Sequence, residues 1–320
     1  MVVVVVVWLF PGQGTQKVGM GRSLWESSPA ARAVFEAADE ALGEPFSRLM
    51  FEGPADDLMQ TANAQPAILT ASIAALAALR EAHPDVPAPR YAAGHSLGEY
   101  SALVAAGVLD LRTAVRLVRL RGEAMQRAVP VGLGGMAAIV GGDAQAVEDL
   151  CRATLEELGG DAVLSPANFN APGQIVIAGH ATAVERAAQL AGARKLKAIP
   201  LKVSAPFHCA LMTPAAAVVA QALAEAPFEA FRFPVISNVD AQPNTDPVRA
   251  RELLVRQIAG AVRWQESMEY VAAQGARLAL EIGPGKVLAG LARKAAPTLD
   301  VKPVFEPAEV AGAWSSGFSA

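Results

Sequence analysis

The sequence predicts an α/β protein with a mostly parallel sheet and a second, smaller domain. Three observations lead to this prediction. Apolar, strand-like runs alternate with amphipathic helical segments, a glycine-flanked serine follows a short strand, and the pattern of the chain changes near Gly134. The chain has 320 residues, 52% of them hydrophobic and 18% charged, which is enough apolar material for a large buried core.

The first element is expected to be a buried strand over Met1–Phe10. This run contains six consecutive valines, lacks a basic segment and is shorter than a membrane span, so neither a signal sequence nor a transmembrane helix is favoured. β-branched residues favour a buried strand, and Pro11 and Gly12 end it.

The next elements continue the α/β pattern. Periodicity and capping residues predict helices over residues 29–42 and 66–80, a short strand at 90–93, and helices over 99–106 and 111–128. Gly107 would end the third of these helices, and Asp110 would cap the fourth.

From Gly134 the elements follow the order β-α-β-β-α-β, which is typical of a ferredoxin-like unit. The predicted strands are 136–140, 163–168, 174–178 and 195–203, and the helices are 144–158 and 181–191. The α/β pattern then returns, with helices over 214–224 and 246–258 and strands at 234–238 and 278–282.

We therefore expect a discontinuous large domain of residues 1–130 and 204–306 with a small domain, residues 131–203, inserted into it. A cleft should lie between the two domains. Residues 307–320 are rich in Ala, Gly and Ser and are expected to form a disordered tail.

The charge and the cysteines limit the possible functions. A net charge of -4, a pI near 5.7 and the lack of a basic stripe argue against nucleic acid as a partner. Cys151 and Cys209 form no C-x-x-C pair, so we expect buried thiols in a reducing cytoplasm, without a disulfide or a metal site. No membrane association is expected.

Ser96 is the leading candidate nucleophile. It lies in Gly94–Tyr100, GHSLGEY, with a glycine two residues away on each side. A serine raised above a sheet on a sharp strand-to-helix turn needs such small neighbours, because strand and helix pass closest there. A plain strand-to-helix turn would have the same pattern.

His208 is the candidate base by elimination among four histidines. The side chain of His95 should leave the backbone in a different direction from that of Ser96. His83 lies in a loop and His180 starts a helix of the small domain, whereas His208 lies where the chain re-enters the large domain. Imidazole can take and return the serine proton near neutral pH. A histidine merely packed in a loop is the alternative.

Arg121 is expected to face inward from the helix over 111–128. Its neighbours at three and four residues are all apolar, namely Leu117, Val118, Ala124 and Met125. A buried guanidinium needs a partner, which is either a fixed carboxylate in a structural salt bridge or an anionic ligand. A carboxylate-bearing acyl group would suit the second case.

The glycine-rich turn over residues 10–16 follows the first strand. Its backbone N–H groups could form half of an oxyanion hole, with the N–H of Leu97 as the other half. The turn lacks the third glycine of a dinucleotide fingerprint, and no P-loop motif occurs in the chain.

Six motifs occur in the order found in the malonyl-CoA:acyl carrier protein transacylases, which this chain resembles from about residue 8 to about residue 306. They are residues 10–14 (FPGQG), 94–100 (GHSLGEY), 119–122 (RLRG), 168–174 (NFNAPGQ), 206–209 (PFHC) and 281–285 (EIGPG). The departures are a valine-rich first strand, Thr15 where serine is frequent, and the extra C-terminal tail.

The resemblance implies an α/β-hydrolase-like core around the inserted domain, and it implies roles for individual residues. The implied site consists of a Ser96–His208 dyad, an oxyanion hole from the N–H groups of Gln13 and Leu97, Arg121 on the malonyl carboxylate, cleft-lining Asn168 and Asn170, Phe207 crowding an α-methyl branch, and the backbone carbonyl of Gln257 orienting the histidine.

The implied activity is transfer of a malonyl group from malonyl-CoA to the phosphopantetheine thiol of acyl carrier protein, for fatty acid synthesis, by a monomer without a cofactor. Three alternatives remain: the same transfer for a polyketide synthase, a serine thioesterase or hydrolase, and a noncatalytic carrier-binding protein. A basic segment, Arg194–Lys197 with Lys202, could dock the acidic carrier or could be a solvated strand edge.

Overall fold

A computed structural model describes residues 5–314 of the chain. The strands are β1 (Val6–Phe10), β2 (Tyr91–Gly94), β3 (Gly134–Val140), β4 (Leu164–Ala171), β5 (Gln174–His180), β6 (Lys197–Pro200), β7 (Val235–Ile236), β8 (Pro243–Asn244), β9 (Leu278–Ile282) and β10 (Asp300–Val304). The helices are α1 (Arg22–Ser27), α2 (Pro29–Leu42), α3 (Phe46–Glu52), α4 (Ala55–Met59), α5 (Thr61–Ala82), α6 (Gly98–Ala105), α7 (Leu111–Arg127), α8 (Ala144–Leu158), α9 (Ala181–Ala193), α10 (Thr213–Glu225), α11 (Pro247–Ala259), α12 (Trp264–Ala273), α13 (Val287–Ala295) and α14 (Pro307–Gly312).

The larger sheet has the strand order β10-β9-β1-β2-β7-β8 and is parallel except for its edge strand β8. This confirms the predicted α/β class with a mostly parallel sheet. Phe10 is paired with Gly94 at the carboxyl ends of β1 and β2. The glycine-rich turn after β1 and the serine turn after β2 therefore emerge side by side, which is where ligands bind in open parallel sheets.

The second sheet is antiparallel with the order β4-β5-β3-β6, and α8 and α9 connect its strands in the predicted β-α-β-β-α-β sequence. Ala137, Ile139 and Ile177 bury one face of this sheet in a core of its own. Hydrogen bonds of Val262 to the backbone of Ala167 and Phe169 tie β4 to the chain that leads into α12.

Two predicted strands are shorter in the structure than in the sequence analysis. The strand expected at 195–203 is limited to β6, because Lys195 adopts a left-handed φ of 58° and the chain leaves the ladder after Pro200. The strand expected at 234–238 is limited to β7. Residues 1–4 of the predicted first strand lie outside the described residues.

The expectation of a disordered tail from residue 307 is wrong for residues 307–314. Glu306 and Glu309 form a reciprocal capping box that starts α14, and the helix buries Val310. His83 Nε2 donates a hydrogen bond to the Val310 carbonyl (2.9 Å), which ties α14 to the end of α5. The remaining six residues of the expected tail lie outside the described residues.

One helix within the described residues, α5, is long and apolar enough to cross a membrane by length and composition. The protein itself buries 83% of its most apolar window. This is the pattern of a core helix, with its apolar surface covered by α2 and α7.

Candidate active site

Ser96 lies on a sharp turn between β2 and α6 and has a φ of 51°, a strained value for a residue other than glycine. A Cβ added to Gly94 would lie 1.9 Å from the backbone of Gly98, and one added to Gly98 would lie 2.1 Å from the carbonyl oxygen of Phe10. The two glycines therefore allow strand and helix to approach as closely as the turn requires.

Ser96 and His208 are 112 residues apart in sequence and in hydrogen-bond contact. His208 Nδ1 donates to the backbone carbonyl of Gln257 (2.8 Å), which leaves Nε2 as the acceptor for the Ser96 Oγ hydroxyl at 2.7 Å. Burial, and then the charge of Arg121, lowers the pKa of His208 to about 3. The imidazole is therefore neutral near pH 7, as a general base must be.

Arg121 extends inward from α7 and is only 1% exposed. Its Nη1 donates to Gln65 Oε1 (2.7 Å), and its Nη2 donates to Gln257 Oε1 (2.8 Å) and to Ser96 Oγ (3.1 Å). Among residues 5–314 it forms no ion pair with a carboxylate within 4.0 Å. The guanidinium thus lies beside the serine with neutral partners only, which argues against the structural salt bridge.

Ser96, Arg121 and His208 line a cleft of about 290 Å³ between the two sheets. The lining includes Gln13, Asn168, Asn170 and Phe207 of the predicted site residues. His95, the fourth histidine considered, does not contact the serine hydroxyl; its Nε2 donates to Asn170 Oδ1 (2.8 Å) across the cleft.

The Leu97 side chain is buried, and Leu97 is the N-cap residue of α6. The N–H of Ser96 itself donates to Asn238 Oδ1 (2.7 Å). Because this bond occupies the N–H of the nucleophile, the next N–H along the turn, that of Leu97, is the nearest in sequence that could donate to an oxyanion. No group of three or more His, Cys, Asp or Glu side chains within the described residues is arranged to hold a metal ion.

Comparisons with known proteins agree with this geometry. The family described as acyl transferase domain matches residues 7–319. This chain belongs to the acyl transferase family. A malonyl CoA-acyl carrier protein transacylase of Salmonella typhimurium is 47% identical over 309 residues, which cover 96% of this chain and 97% of the relative.

Solved structures of acyl transferases are also similar. An acyl carrier protein S-malonyltransferase of Vibrio cholerae superimposes with a TM-score of 0.92 at 45% identity, covering 97% of this chain and 99% of that one. A malonyl-transacylase in complex with a type II polyketide synthase acyl-carrier protein gives a TM-score of 0.92 at 42% identity, covering 97% and 98%. The predicted family resemblance is confirmed.

Three polar residues of this acyl transferase site were missed by the sequence analysis: Gln65, Glu99 and Asn238. All three are buried, and each is hydrogen-bonded to Ser96, Arg121 or Gln257. Signals for two of them were present, since Glu99 belongs to the serine motif and Asn238 ends a predicted strand at the same sheet edge. Gln65 lies in an apolar helix and gave no such signal.

Proposed function

We propose that this protein transfers a malonyl group from malonyl-CoA to the phosphopantetheine thiol of an acyl carrier protein through a malonyl-Ser96 intermediate. One observation carries the proposal: Ser96 Oγ lies within hydrogen-bond distance of both His208 Nε2 and Arg121 Nη2. A base and a carboxylate-binding cation therefore converge on one nucleophile.

The first half-reaction acylates the serine. His208 Nε2 takes the Ser96 proton while Oγ attacks the thioester carbonyl, and the resulting oxyanion accepts hydrogen bonds from the N–H groups of Gln13 and Leu97. The N-terminus of α6 adds its partial positive charge at this point. The carbon–sulfur bond then breaks, and the coenzyme A thiolate receives the proton from His208.

The second half-reaction runs the same steps in reverse. The carrier thiol gives its proton to His208 and attacks the Ser96 ester, and the serine leaves as it recovers the proton from Nε2. The Gln257 carbonyl keeps the imidazole in one tautomer through both halves by accepting from Nδ1.

Arg121 supplies selectivity for a dicarboxylic acyl group, because the malonyl carboxylate can accept a charge-assisted pair of hydrogen bonds from the guanidinium. A thioesterase that releases simple fatty acids has no use for such a cation. Phe207 is buried against the cleft and is placed to crowd an α-methyl branch. One methyl group is worth about 1–3 kcal/mol in such a pocket.

The test is incubation with malonyl-CoA followed by intact mass measurement. We expect a single malonyl adduct on the wild-type chain that disappears when phosphopantetheinylated carrier is added, and no adduct on Ser96→Ala, which should keep the wild-type melting temperature. A malonyl adduct on Ser96→Ala would show that Ser96 is not the residue that is acylated. Rapid release of free malonate without carrier would favour the hydrolase.

The pathway is proposed to be fatty acid synthesis, and polyketide synthesis is the second candidate. The second candidate is favoured by the similarity to the transacylase solved with a type II polyketide synthase carrier. Comparing kcat/KM for a fatty acid carrier and a polyketide carrier separates the two, because the physiological carrier should be the better substrate.

A further inference from the structure

A buried carboxylate outside the proposed reacting groups links the residues that hold them. Glu99 lies in the first turn of α6 and is 3% exposed. Its Oε2 accepts hydrogen bonds from the backbone N–H of Asn238 (3.1 Å) and from Gln257 Nε2 (2.8 Å). One oxygen atom thus joins two residues that are distant in sequence.

Both partners of Glu99 hold the backbone of the serine turn. Asn238 Oδ1 accepts from the Ser96 N–H, and its Nδ2 donates to the Gly94 carbonyl (both 2.7 Å). Gln257 Nε2 donates to the Ser96 carbonyl (2.9 Å). Because the left-handed conformation of Ser96 is strained, it persists only while such contacts hold it.

The second partner also holds the other two groups of the site. Gln257 presents its side-chain Oε1 to Arg121 Nη2 and its backbone carbonyl to His208 Nδ1. If the Gln257 amide rotated by half a turn, Nε2 would face the donor on Arg121 and Oε1 would face two acceptors. The accepting oxygen of Glu99 therefore favours the one amide orientation that serves Arg121.

We propose that Glu99 is a positioning residue for the transfer reaction, acting through its accepting Oε2 on Asn238 and Gln257. Through them it fixes the serine turn, the guanidinium and the imidazole together. The inference rests on the proposed function, in which Ser96 is the residue acylated. The feature that matters is an oxygen atom that accepts hydrogen bonds at the position of Glu99 Oε2, not a negative charge.

The distinction between oxygen and charge is supported by the burial of the site. Burial, the largest cause, raises the pKa of Glu99 to about 7, although the hydrogen bonds from Gln257 and Asn238 lower it. An oxygen at the Oε2 position can accept from both donors in either protonation state. Glutamine can supply the same oxygen, whereas methionine fills similar space without it.

The experiment measures the reactivity of Ser96 toward a small sulfonyl fluoride, which needs the dyad but neither Arg121 nor a carboxylate. We expect Glu99→Met to slow inactivation at least about ten-fold, since small displacements of reacting groups cost that much or more. Glu99→Gln keeps the accepting oxygen and so leaves the reacting groups in place, and its rate should stay within about three-fold of the wild-type rate. Single-turnover acylation by malonyl-CoA should follow the same order.

Glu281→Met is the matched control. Glu281 is equally buried and burial raises its pKa to about 7, but its carboxylate accepts from the backbone N–H groups of Leu288 and Ala289 at the start of α13. This variant should lower the melting temperature and leave the rate of sulfonyl fluoride inactivation unchanged.

A wild-type rate in Glu99→Met, or a rate in Glu99→Gln as slow as in Glu99→Met, would overturn the proposal. If Glu99→Met does not fold, Glu99→Asp takes its place. It retracts the oxygen by one methylene and should be slowed similarly, and a wild-type rate there would overturn the proposal as well. Failure of the wild-type chain to take a malonyl group would count against the proposed function alone, because sulfonylation of Ser96 still reports on Glu99.

Discussion

Arg121 carries a permanent charge into the site, and the three side chains that accept its hydrogen bonds are all neutral. Its guanidinium bonds two glutamine amides and the serine hydroxyl, and it lies 5.6 Å from the centre of the Tyr100 ring. Burial lowers the pKa of Arg121, yet arginine stays protonated at any pH relevant to a protein. If Arg121 binds the substrate carboxylate as proposed, that pairing offsets the energetic cost of burying the cation.

Replacing Arg121 should therefore change selectivity. We expect Arg121→Ala to lower malonyl transfer by roughly ten- to a hundred-fold, the value of a charge-assisted hydrogen bond, and acetyl transfer much less. Arg121→Lys should rescue malonyl transfer in part, because a point charge replaces a two-pronged donor. The measurement is kcat/KM for both acyl-CoA substrates, and equal losses would show that Arg121 is structural.

The same charge should control the protonation of His208. The pKa of His208 is about 3 because of burial first and the Arg121 charge second. Removing that charge in Arg121→Ala should raise the pKa, so that the imidazole becomes protonated, and inactive as a base, at a higher pH than in the wild type.

The acid limb of Ser96 inactivation by a sulfonyl fluoride, measured from pH 8 down to about pH 3, where the wild-type His208 titrates, should thus move to higher pH in Arg121→Ala. Arg121→Lys serves as the control. It keeps the charge, so its acid limb should lie at the same pH as that of the wild type. An identical limb in all three proteins would mean that burial alone sets the pKa.

At the scale of elements, the site depends on how closely α6 packs against β1 and β2. The glycine pattern around Ser96 is a packing requirement, since a Cβ at Gly98 would overlap the end of β1. The strained serine is therefore held from two sides, by the close strand–helix packing and by the hydrogen bonds of Asn238 and Gln257.

Gly98→Ala should destabilise the protein by at least about 1–3 kcal/mol, the usual cost of overpacking a core, and should slow acylation because the turn must shift. Gly192→Ala is the matched control. Apart from the adjacent residues and the nearby backbone of α9 itself, no described atom lies within 4 Å of a Cβ built there, in the last turn of α9, so the change should be neutral or slightly stabilising. Urea unfolding measures both, and equal stabilities would contradict the packing argument.

At the scale of the whole molecule, the cleft lies between the two sheets. Beside this cleft, the chain passes from the smaller sheet back to the larger one. The returning segment after β6 carries exposed Leu201, Lys202 and Val203, all of which line the cleft. Lys195 and Lys197 are exposed just before it. β6 is an edge strand, so these lysines also fit the alternative role of protecting that edge.

If the basic segment docks an acidic carrier, charge reversal at Lys195 and Lys197 should raise the KM for the carrier, more strongly at low salt, and leave acylation by malonyl-CoA unchanged. Arg90→Glu with Arg277→Glu is the matched control. It makes the same change in net charge at exposed positions just before the inner strands β2 and β9, at the amino ends of the larger sheet and away from the site at its carboxyl ends. Equal KM values for both double variants would place docking elsewhere.

Local patterns in the sequence predicted most of the longer elements and singled out the main candidate site residues. They did not predict the short helices α1, α3 and α4, the helices α12 and α13, or the strands β8 and β10. The bounds of α2 and α8 agree with the predictions to the residue, because each follows a capping residue and ends at a glycine. Asp110 caps α7 as predicted, with Thr113 N–H as the donor. Ser96, His208 and Arg121 were each singled out by a local signal: a glycine spacing, a loop position and a helix face.

Only the tertiary structure decided how those residues meet. The dyad joins β2 to the chain after β6, the Gln257 carbonyl comes from α11, and Glu99 reaches Asn238 and Gln257 over 139 and 158 residues of sequence. Such hydrogen bonds depend on the packing of several elements, which no local pattern encodes. For the same reason α14 was missed, because a short, Ala-rich segment becomes a helix here through its capping box and its contact with His83.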